Sequence, residues 1–176
     1  MKYPLIALLL VAGCSNIVPS AIARLYSVSP MEADPSDIAV ALDLPDGIGV
    51  RQGTAKLLLT ATRSDTNETS AATYILAASP GRDGSTVYAI ADRDFGRLRA
   101  QQSLIRGWKD AAGDATNGSL SAGLEGCIIG AGPADDAAMS INMRTAKEDA
   151  FFPLIRRAPI TDVMELADME DLKPCD

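Results

Sequence analysis

The 176-residue sequence contains no histidine. The chain therefore has no Ser-His or Cys-His catalytic pair, no histidine metal ligand and no side chain that ordinarily titrates near neutral pH. A GxSxG elbow, an SxxK pair and a CxxC motif are also missing from the sequence, and these are common ways of activating a nucleophile. We expect no cofactor and no bound metal ion, and we favour a non-catalytic protein over an enzyme.

Basic residues are scarce relative to acidic ones. The chain has 16 Lys and Arg against 23 Asp and Glu, which gives a formal net charge of -7. Proteins that bind nucleic acid usually present a basic surface to the phosphates, so we predict no nucleic-acid partner. The hydrophobic fraction of 47% is sufficient for the core of one globular domain.

The N-terminus carries an export pattern. Lys2 precedes a short apolar run from Leu5 to Ala12, and Gly13 then leads into Cys14. That run is much shorter than the roughly 20 residues that span a bilayer as a helix. The segment Val11-Ala12-Gly13-Cys14 resembles the lipobox of bacterial lipoprotein signal peptides, although Val11 stands where that family usually has Leu.

The lipobox resemblance implies how the chain is processed and where it is located. Residues 1–13 would be a signal peptide, and Cys14 would become the mature N-terminus with diacylglycerol on its sulfur. Several acyl chains anchor a protein stably without spanning the bilayer. Because Ser15 and not Asp follows Cys14, the pattern resembles outer-membrane sorting. We expect a lipoprotein of the bacterial cell envelope that faces the periplasm and has an envelope protein or the cell wall as a further partner.

Two cysteines remain once Cys14 is assigned to lipid. Cys127 and Cys175 can form one disulfide in an oxidising envelope, and closing so long a loop would stabilise the fold by roughly 4 kcal/mol. The alternative is a pair of free thiols, because spacing in the sequence does not show whether their Cα atoms approach each other.

The rest of the chain is typical of an α+β, β-rich domain over residues 37–176, with an acidic C-terminal tail. Residues 14–36 contain three prolines and are predicted to be a lipidated N-terminus and tether that includes a first strand at 22–28. Apolar residues then alternate with small or polar ones over residues 38–44, which indicates a half-buried strand. Further strands are predicted at 56–62, 73–78, 86–90, 120–129 and 138–144, with a polar loop at 63–71. We expect an antiparallel sheet or sandwich.

One principal helix is predicted over residues 92–110. At 100° per residue, an apolar arc forms from Phe95, Leu98, Leu104, Ile105 and Trp108. The same segment contains four arginines that flank this arc in two pairs: Arg93 with Arg97, and Arg99 with Arg106. These side chains either contact an anion or a partner, or lie beside the buried face with their charged ends in water.

A glycine-rich segment, Ile128-Ile129-Gly130-Ala131-Gly132-Pro133-Ala134-Asp135, resembles the phosphate-binding turn of dinucleotide-binding proteins. Asp135 and Asp136 would repel phosphates there, and no βαβ unit fits around the turn. We therefore predict a turn between two antiparallel strands. The segment that starts at Asp92 is similar to a calcium loop, but it has Ser103 where the loop needs a glutamate, so we predict no calcium site.

The predicted function is a non-catalytic binding or assembly role at the membrane. Two alternatives stay open. An envelope hydrolase would need two facing carboxylates, and the candidates are Glu125, Asp135, Asp136, Glu148 and Asp149. A small-ligand carrier would need a large apolar cavity.

Overall fold

The computed structural model describes residues 16–27, 31–163 and 172–175. Cys14 and the other lipobox residues lie outside this part of the chain. Along the described part the helices and strands are α1 (Pro19–Ser27), β1 (Ala39–Asp43), β2 (Ile48–Val50), β3 (Lys56–Arg63), β4 (Glu68–Pro80), β5 (Thr86–Ile90), α2 (Phe95–Ala112), β6 (Thr116–Gly123), β7 (Gly126–Ile128), β8 (Ala138–Arg144), β9 (Phe152–Pro159) and α3 (Ile160–Val163).

Seven of the strands form one antiparallel sheet in the order β6-β3-β4-β5-β1-β8-β9. The two short strands, β2 and β7, pair with each other in a separate small sheet. The predicted class is confirmed: the fold is α+β and β-rich, with an antiparallel sheet and one principal helix, α2. The strands predicted at 73–78 and 86–90 lie within β4 and β5, which pair with each other in a hairpin.

The strand predicted at 22–28 is wrong, because its described residues, 22–27, belong to α1. Pro19 takes the first helical position, where its fixed φ favours a helix and its missing N–H costs no hydrogen bond. The residues before α1 are bonded to the sheet, since the Val18 amide donates to the Leu154 carbonyl and the Arg156 amide donates to the Asn16 carbonyl. Part of the segment predicted as a tether therefore lies against β9.

The single strand predicted at 120–129 is two strands, β6 and β7, which belong to different sheets. Contacts with the loop after β2 redirect the chain between them. The Arg51 amide donates to the Glu125 carbonyl, and the Glu125 amide donates to Thr54 Oγ1. Strand β4 begins at Glu68, so the loop predicted at 63–71 is shorter than expected.

The main core lies between α2 and one face of β3 and β4. Leu98, Ile105 and Trp108 of the helix pack on Leu59 and Tyr74 of the sheet. The predicted arc was too broad, because Leu104 is 47% exposed. Two polar residues, Gln101 and Gln102, take buried positions on the helix instead.

Gln101 joins α2 to the sheet through a buried hydrogen-bond network. Its Oε1 accepts a 2.7 Å hydrogen bond from the Tyr74 hydroxyl. Its Nε2 donates to the Leu59 carbonyl at 3.0 Å and to Ser70 Oγ at 3.1 Å. Tyr74 is fully buried, and burial raises the pKa of its phenol. Because every polar end in this network has a partner, the helix is fixed in one position on the sheet.

We expect Tyr74→Phe to lower the free energy of unfolding by about 2 kcal/mol, because it leaves the buried Gln101 Oε1 without its donor. Gln101→Met should lower the free energy of unfolding by a similar amount, since it removes the acceptor of the Tyr74 hydroxyl. The double variant should cost clearly less than the two single losses added together. Urea unfolding of the four proteins checks this, and strictly additive losses would contradict the coupling.

Candidate functional site

Strand β6 forms one outer edge of the main sheet. Within the part of the chain that the structure describes, β3 is its neighbour on one side and no strand pairs with the other. Residues 117–123 are all exposed, and the strand contains neither a charged residue nor a proline. Proteins usually protect a free edge with charges, prolines or covering segments, because its unpaired N–H and C=O groups can bind another strand. We refer to Thr116–Gly123 as the open edge.

The opposite edge of the sheet is protected in these ways. Strand β9 contains Pro153 and Pro159, and the segment 16–18 lies along it. Ile17 forms a β-bridge with Ile155. Among the residues that the structure describes, only the β9 edge is shielded, so the open edge stands out as a surface for a partner.

A groove of about 400 Å³ runs between the open edge and α2. Its lining includes the apolar side chains of Met31, Ile105 and Leu120, together with Gly118. Charged residues of both signs also line it: Glu32, Arg106, Lys109 and Asp110. Within the described residues, the buried hydroxyl of Thr116, which also lines the groove, has no hydrogen-bond partner. The sequence signal for this surface is the uncharged run at 116–123, which the prediction of a single strand at 120–129 had obscured.

The four arginines predicted as partner contacts do lie on two flanks of α2. On one flank, Arg99 Nη2 lies 2.7 Å from Asp34 Oδ2, and Arg106 donates to the Met31 carbonyl. Gln102 also reaches this segment, donating to the Ala33 carbonyl at 2.9 Å. We refer to residues 31–36 as the strap, because these contacts hold it along the helix.

On the other flank, Arg97 donates to the Thr73 carbonyl at 2.7 Å. Its guanidinium carbon lies 4.2 Å from the centroid of the Tyr74 ring, and it also forms an ion pair with Asp94. Arg93 approaches Asp94 only to 4.0 Å, and its side chain is 76% exposed. The structure does not bring the four guanidinium groups together, and three of them make contacts that hold parts of the fold.

The strap should attach more weakly at low pH. Hydrogen bonds from Arg99 and Ser36 hold the pKa of the Asp34 carboxyl well below its ordinary 3.8. A carboxyl with a lowered folded-state pKa contributes stability above about pH 4 and loses that contribution as the pH falls. We expect Asp34→Asn to lower the Tm slightly at pH 7, with the difference shrinking below pH 4. A pH series of thermal melts checks this, and a difference that does not depend on pH would contradict it.

Cys127 and Cys175 form a disulfide with an S–S distance of 2.01 Å. The bonded alternative of the cysteine prediction is therefore the one found. The bond joins β7 to the described C-terminal residues, 172–175. The Ile128 amide donates to the Lys173 carbonyl, and the Cys175 amide donates back to the Ile128 carbonyl, each at 2.9 Å. These residues thus extend the small sheet beside β7.

Strand β2 of the small sheet lines a cleft of about 780 Å³ that has both polar and apolar walls. One wall is β2 with its flanking loops, and Ile129 also lines the cleft. The other wall comes from the main sheet and includes Leu42, Leu44, Leu76, Ala78 and Tyr88. The small-ligand alternative would place its ligand in this cleft.

The glycine-rich segment makes a turn, but the strands on either side of it do not pair with each other. Strand β7 pairs with β2, whereas β8 pairs with β1 and β9. The predicted turn is therefore present, but it does not form a hairpin, because β7 leaves the main sheet. Gly132, with φ +84°, packs against Gly47, where an added Cβ would lie 2.2 Å from the Gly132 carbonyl carbon. The glycines thus allow two backbone segments to approach closely.

The candidate carboxylates are not gathered at one place. Glu148 and Asp149 line a cleft of about 910 Å³ that also contains three cations: Arg82, Arg144 and Lys147. Glu125 lies elsewhere, with its carboxylate 3.9 Å from Arg51. Asp135 and Asp136 are exposed in the turn after Gly132. The calcium-like segment forms a 3-10 turn over Asp92–Asp94, where Asp94 pairs with Arg97.

A search of the described residues finds no cluster of His, Cys, Asp or Glu side chains arranged to hold a metal ion. None of the helices in the described ranges is both long and apolar enough to cross a membrane. Comparison with protein families, characterised proteins and solved structures gives no match to this chain.

Proposed function

We propose that this protein is a lipoprotein of the bacterial cell envelope, anchored through lipid on Cys14, with a non-catalytic binding or assembly role. The lipobox-like segment Val11-Ala12-Gly13-Cys14 supports the anchor. The observation that carries the compartment is the Cys127–Cys175 disulfide, since such bonds persist in oxidising compartments and are rare in the cytosol. The proposed location is the outer membrane, facing the periplasm.

The described N-terminal residues support a body held near its anchor. Asn16 lies two residues after Cys14, and its carbonyl already accepts a hydrogen bond from the amide of Arg156 in β9. A chain extends by at most about 3.6 Å per residue, so this edge of the domain would lie within roughly 10 Å of the lipidated cysteine. The domain would therefore sit at the membrane surface.

The open edge is the surface that we assign to binding. A free edge of eight residues binds by main-chain hydrogen bonds, which need no nucleophile or metal ion. The groove beside it offers apolar contacts to alternate side chains of an added strand. A binding surface of this kind fits an assembly role better than a catalytic one.

The anchor is tested by Cys14→Ala in cells that express the full chain. We expect the wild-type protein in the membrane fraction after washing with high salt, and the variant in the soluble or unprocessed fraction. Ser15→Ala is the matched control, because it changes the neighbouring residue, keeps the cysteine that would carry lipid and the Cys127–Cys175 bond, and should leave the protein in the membrane fraction. A Cys14→Ala protein that is processed and still resists the salt wash would contradict the lipid anchor.

A further inference from the structure

Successive residues of the open edge direct their backbone N–H and C=O groups alternately toward β3 and away from it. Just before β6, the Ser64 amide donates to the Ala115 carbonyl at 2.9 Å, in step with the pairing of Arg63 and Thr116. Hydrogen-bonded and non-hydrogen-bonded pairs alternate along an antiparallel ladder. The odd-numbered residues of β6 therefore direct their N–H and C=O groups toward β3. The even-numbered residues direct theirs outward: Thr116, Gly118, Leu120 and Ala122.

We infer that this edge pairs with the open edge of a second copy of the chain, which makes a two-fold dimer with one continuous antiparallel sheet. The inference rests on the proposed assembly role of the open edge and names its partner. Ser119 would lie opposite Ser119 of the second copy, and Gly118 opposite Leu120. This register forms about eight backbone hydrogen bonds, whereas centring the pair on Gly118 or Leu120 forms about six.

The side chains favour the same register. Leu120 is 43% exposed and lies on the face of the sheet that packs against α2, since its partner in β3 is the buried Leu59. The residue that it would meet, Gly118, has no side chain, and a Cβ built there would have a single neighbour, the Thr60 carbonyl oxygen at 3.6 Å. Leu120 of each copy would thus fill the groove beside Gly118 of the other.

The distribution of charge also favours a second copy of the chain as the partner of the open edge. The chain is acidic overall, so two copies repel each other at long range, and a contact surface without charged residues avoids adding to that repulsion. The open edge is uncharged, and the charged residues along its groove are two cations and two anions. A strongly basic or acidic partner would find no matching surface there.

A disulfide introduced at the two-fold axis tests this pairing. The full chain carrying Ser119→Cys is expressed in cells and extracted from their membranes with a reagent that blocks free thiols. The extract is then run on a non-reducing gel. The inferred register makes position 119 a non-hydrogen-bonded pair, whose Cα atoms lie about 4.5 Å apart and can be bridged. We expect a covalent dimer that reduction converts to monomer.

The matched control is Ser121→Cys, which is exposed on the same face of the same strand. In the inferred register the two cysteines at position 121 would lie about 14 Å apart, so no dimer is expected. Equal cross-linking at both positions, or none at either, would overturn the register. Crosslinked protein found without lipid in the soluble fraction would contradict the anchor but not the dimer. Monomer in the membrane fraction would contradict the dimer but not the anchor.

Mass measurement by light scattering of the detergent-extracted protein gives an independent test. We expect two chains for the wild type and one for Leu120→Asp, because the variant brings a charge into each groove and weakens pairing at least tenfold. Leu104→Asp is the control, since Leu104 is similarly exposed but does not line the groove. A wild-type monomer with intact circular dichroism would overturn the inference.

Discussion

Replacing Cys127 and Cys175 together with alanine should lower the free energy of unfolding by about 4 kcal/mol. The bond closes a loop between residues 48 positions apart, so breaking it allows the unfolded chain many more conformations. It also joins the segment 172–175 to β7, whose partner strand β2 forms one wall of the cleft of about 780 Å³. Urea unfolding of the purified proteins under oxidising conditions measures the loss.

Reduction supplies the control for this prediction. Reducing the wild-type protein should bring its unfolding midpoint close to that of the double alanine variant, whereas the variant should not respond to the reductant. An unfolding midpoint in the double variant equal to that of the oxidised wild type would contradict the stabilising role. In a protein whose stability is typically 5–15 kcal/mol, the expected loss is a large share of the total.

Gly47→Ala should destabilise the protein by about 3 kcal/mol or more. An added Cβ would lie 2.2 Å from the carbonyl carbon and oxygen of Gly132, and 2.5 Å from the nitrogen of Pro133. These are backbone atoms, so no side chain can rotate away to make space. Gly47 also has a φ of +88°, which an alanine adopts only with strain.

The clash and the strain can be separated with Gly53→Ala. Gly53 has a similar φ of +77°, but nothing lies within 4 Å of its added Cβ. We expect Gly53→Ala to cost about 1 kcal/mol from backbone strain alone. The difference between the two variants then measures the contact of the two backbones, and equal losses would show that the contact contributes nothing.

Much of the fold could be predicted from the sequence, because its strands and main helix have clear hydrophobic periods. The alternation at 38–44 corresponds to β1, and the apolar arc at 92–110 corresponds to α2. The sequence does not predict the N-terminal helix, because the apolar residues at 22–28 suit a strand as well as a helix, and Pro19 fits a tether as well as the start of a helix. Whether a short segment of this kind forms a helix or a strand depends on the surface on which it packs.

The candidate surface was harder to predict because its properties depend on which strand lies at the edge. Thr116–Gly123 contains only small polar and apolar residues, so its sequence indicates a weak strand and gives no position in the sheet. Pairing with β3, 53 to 67 positions earlier in the chain, places it at the edge. The buried Gln101 was also unexpected, because its acceptor and donor come from β3 and β4.

The glycine-rich segment shows how a motif can mislead. Its glycines resemble those that admit a pyrophosphate, yet Gly132 lies against Gly47 of another loop. Both functions need the same property, a residue without a side chain where two groups approach closely. The two aspartates after the turn already argued against phosphate, because like charges repel.

The most direct test of the central claim is the intact mass of the protein extracted from membranes, measured with thiol alkylation before and after reduction. We expect a mass equal to residues 14–176 plus acyl groups. Alkylation should add nothing before reduction and two groups, on Cys127 and Cys175, after it. An unlipidated mass that includes residues 1–13 would contradict the proposal that this chain is an envelope lipoprotein.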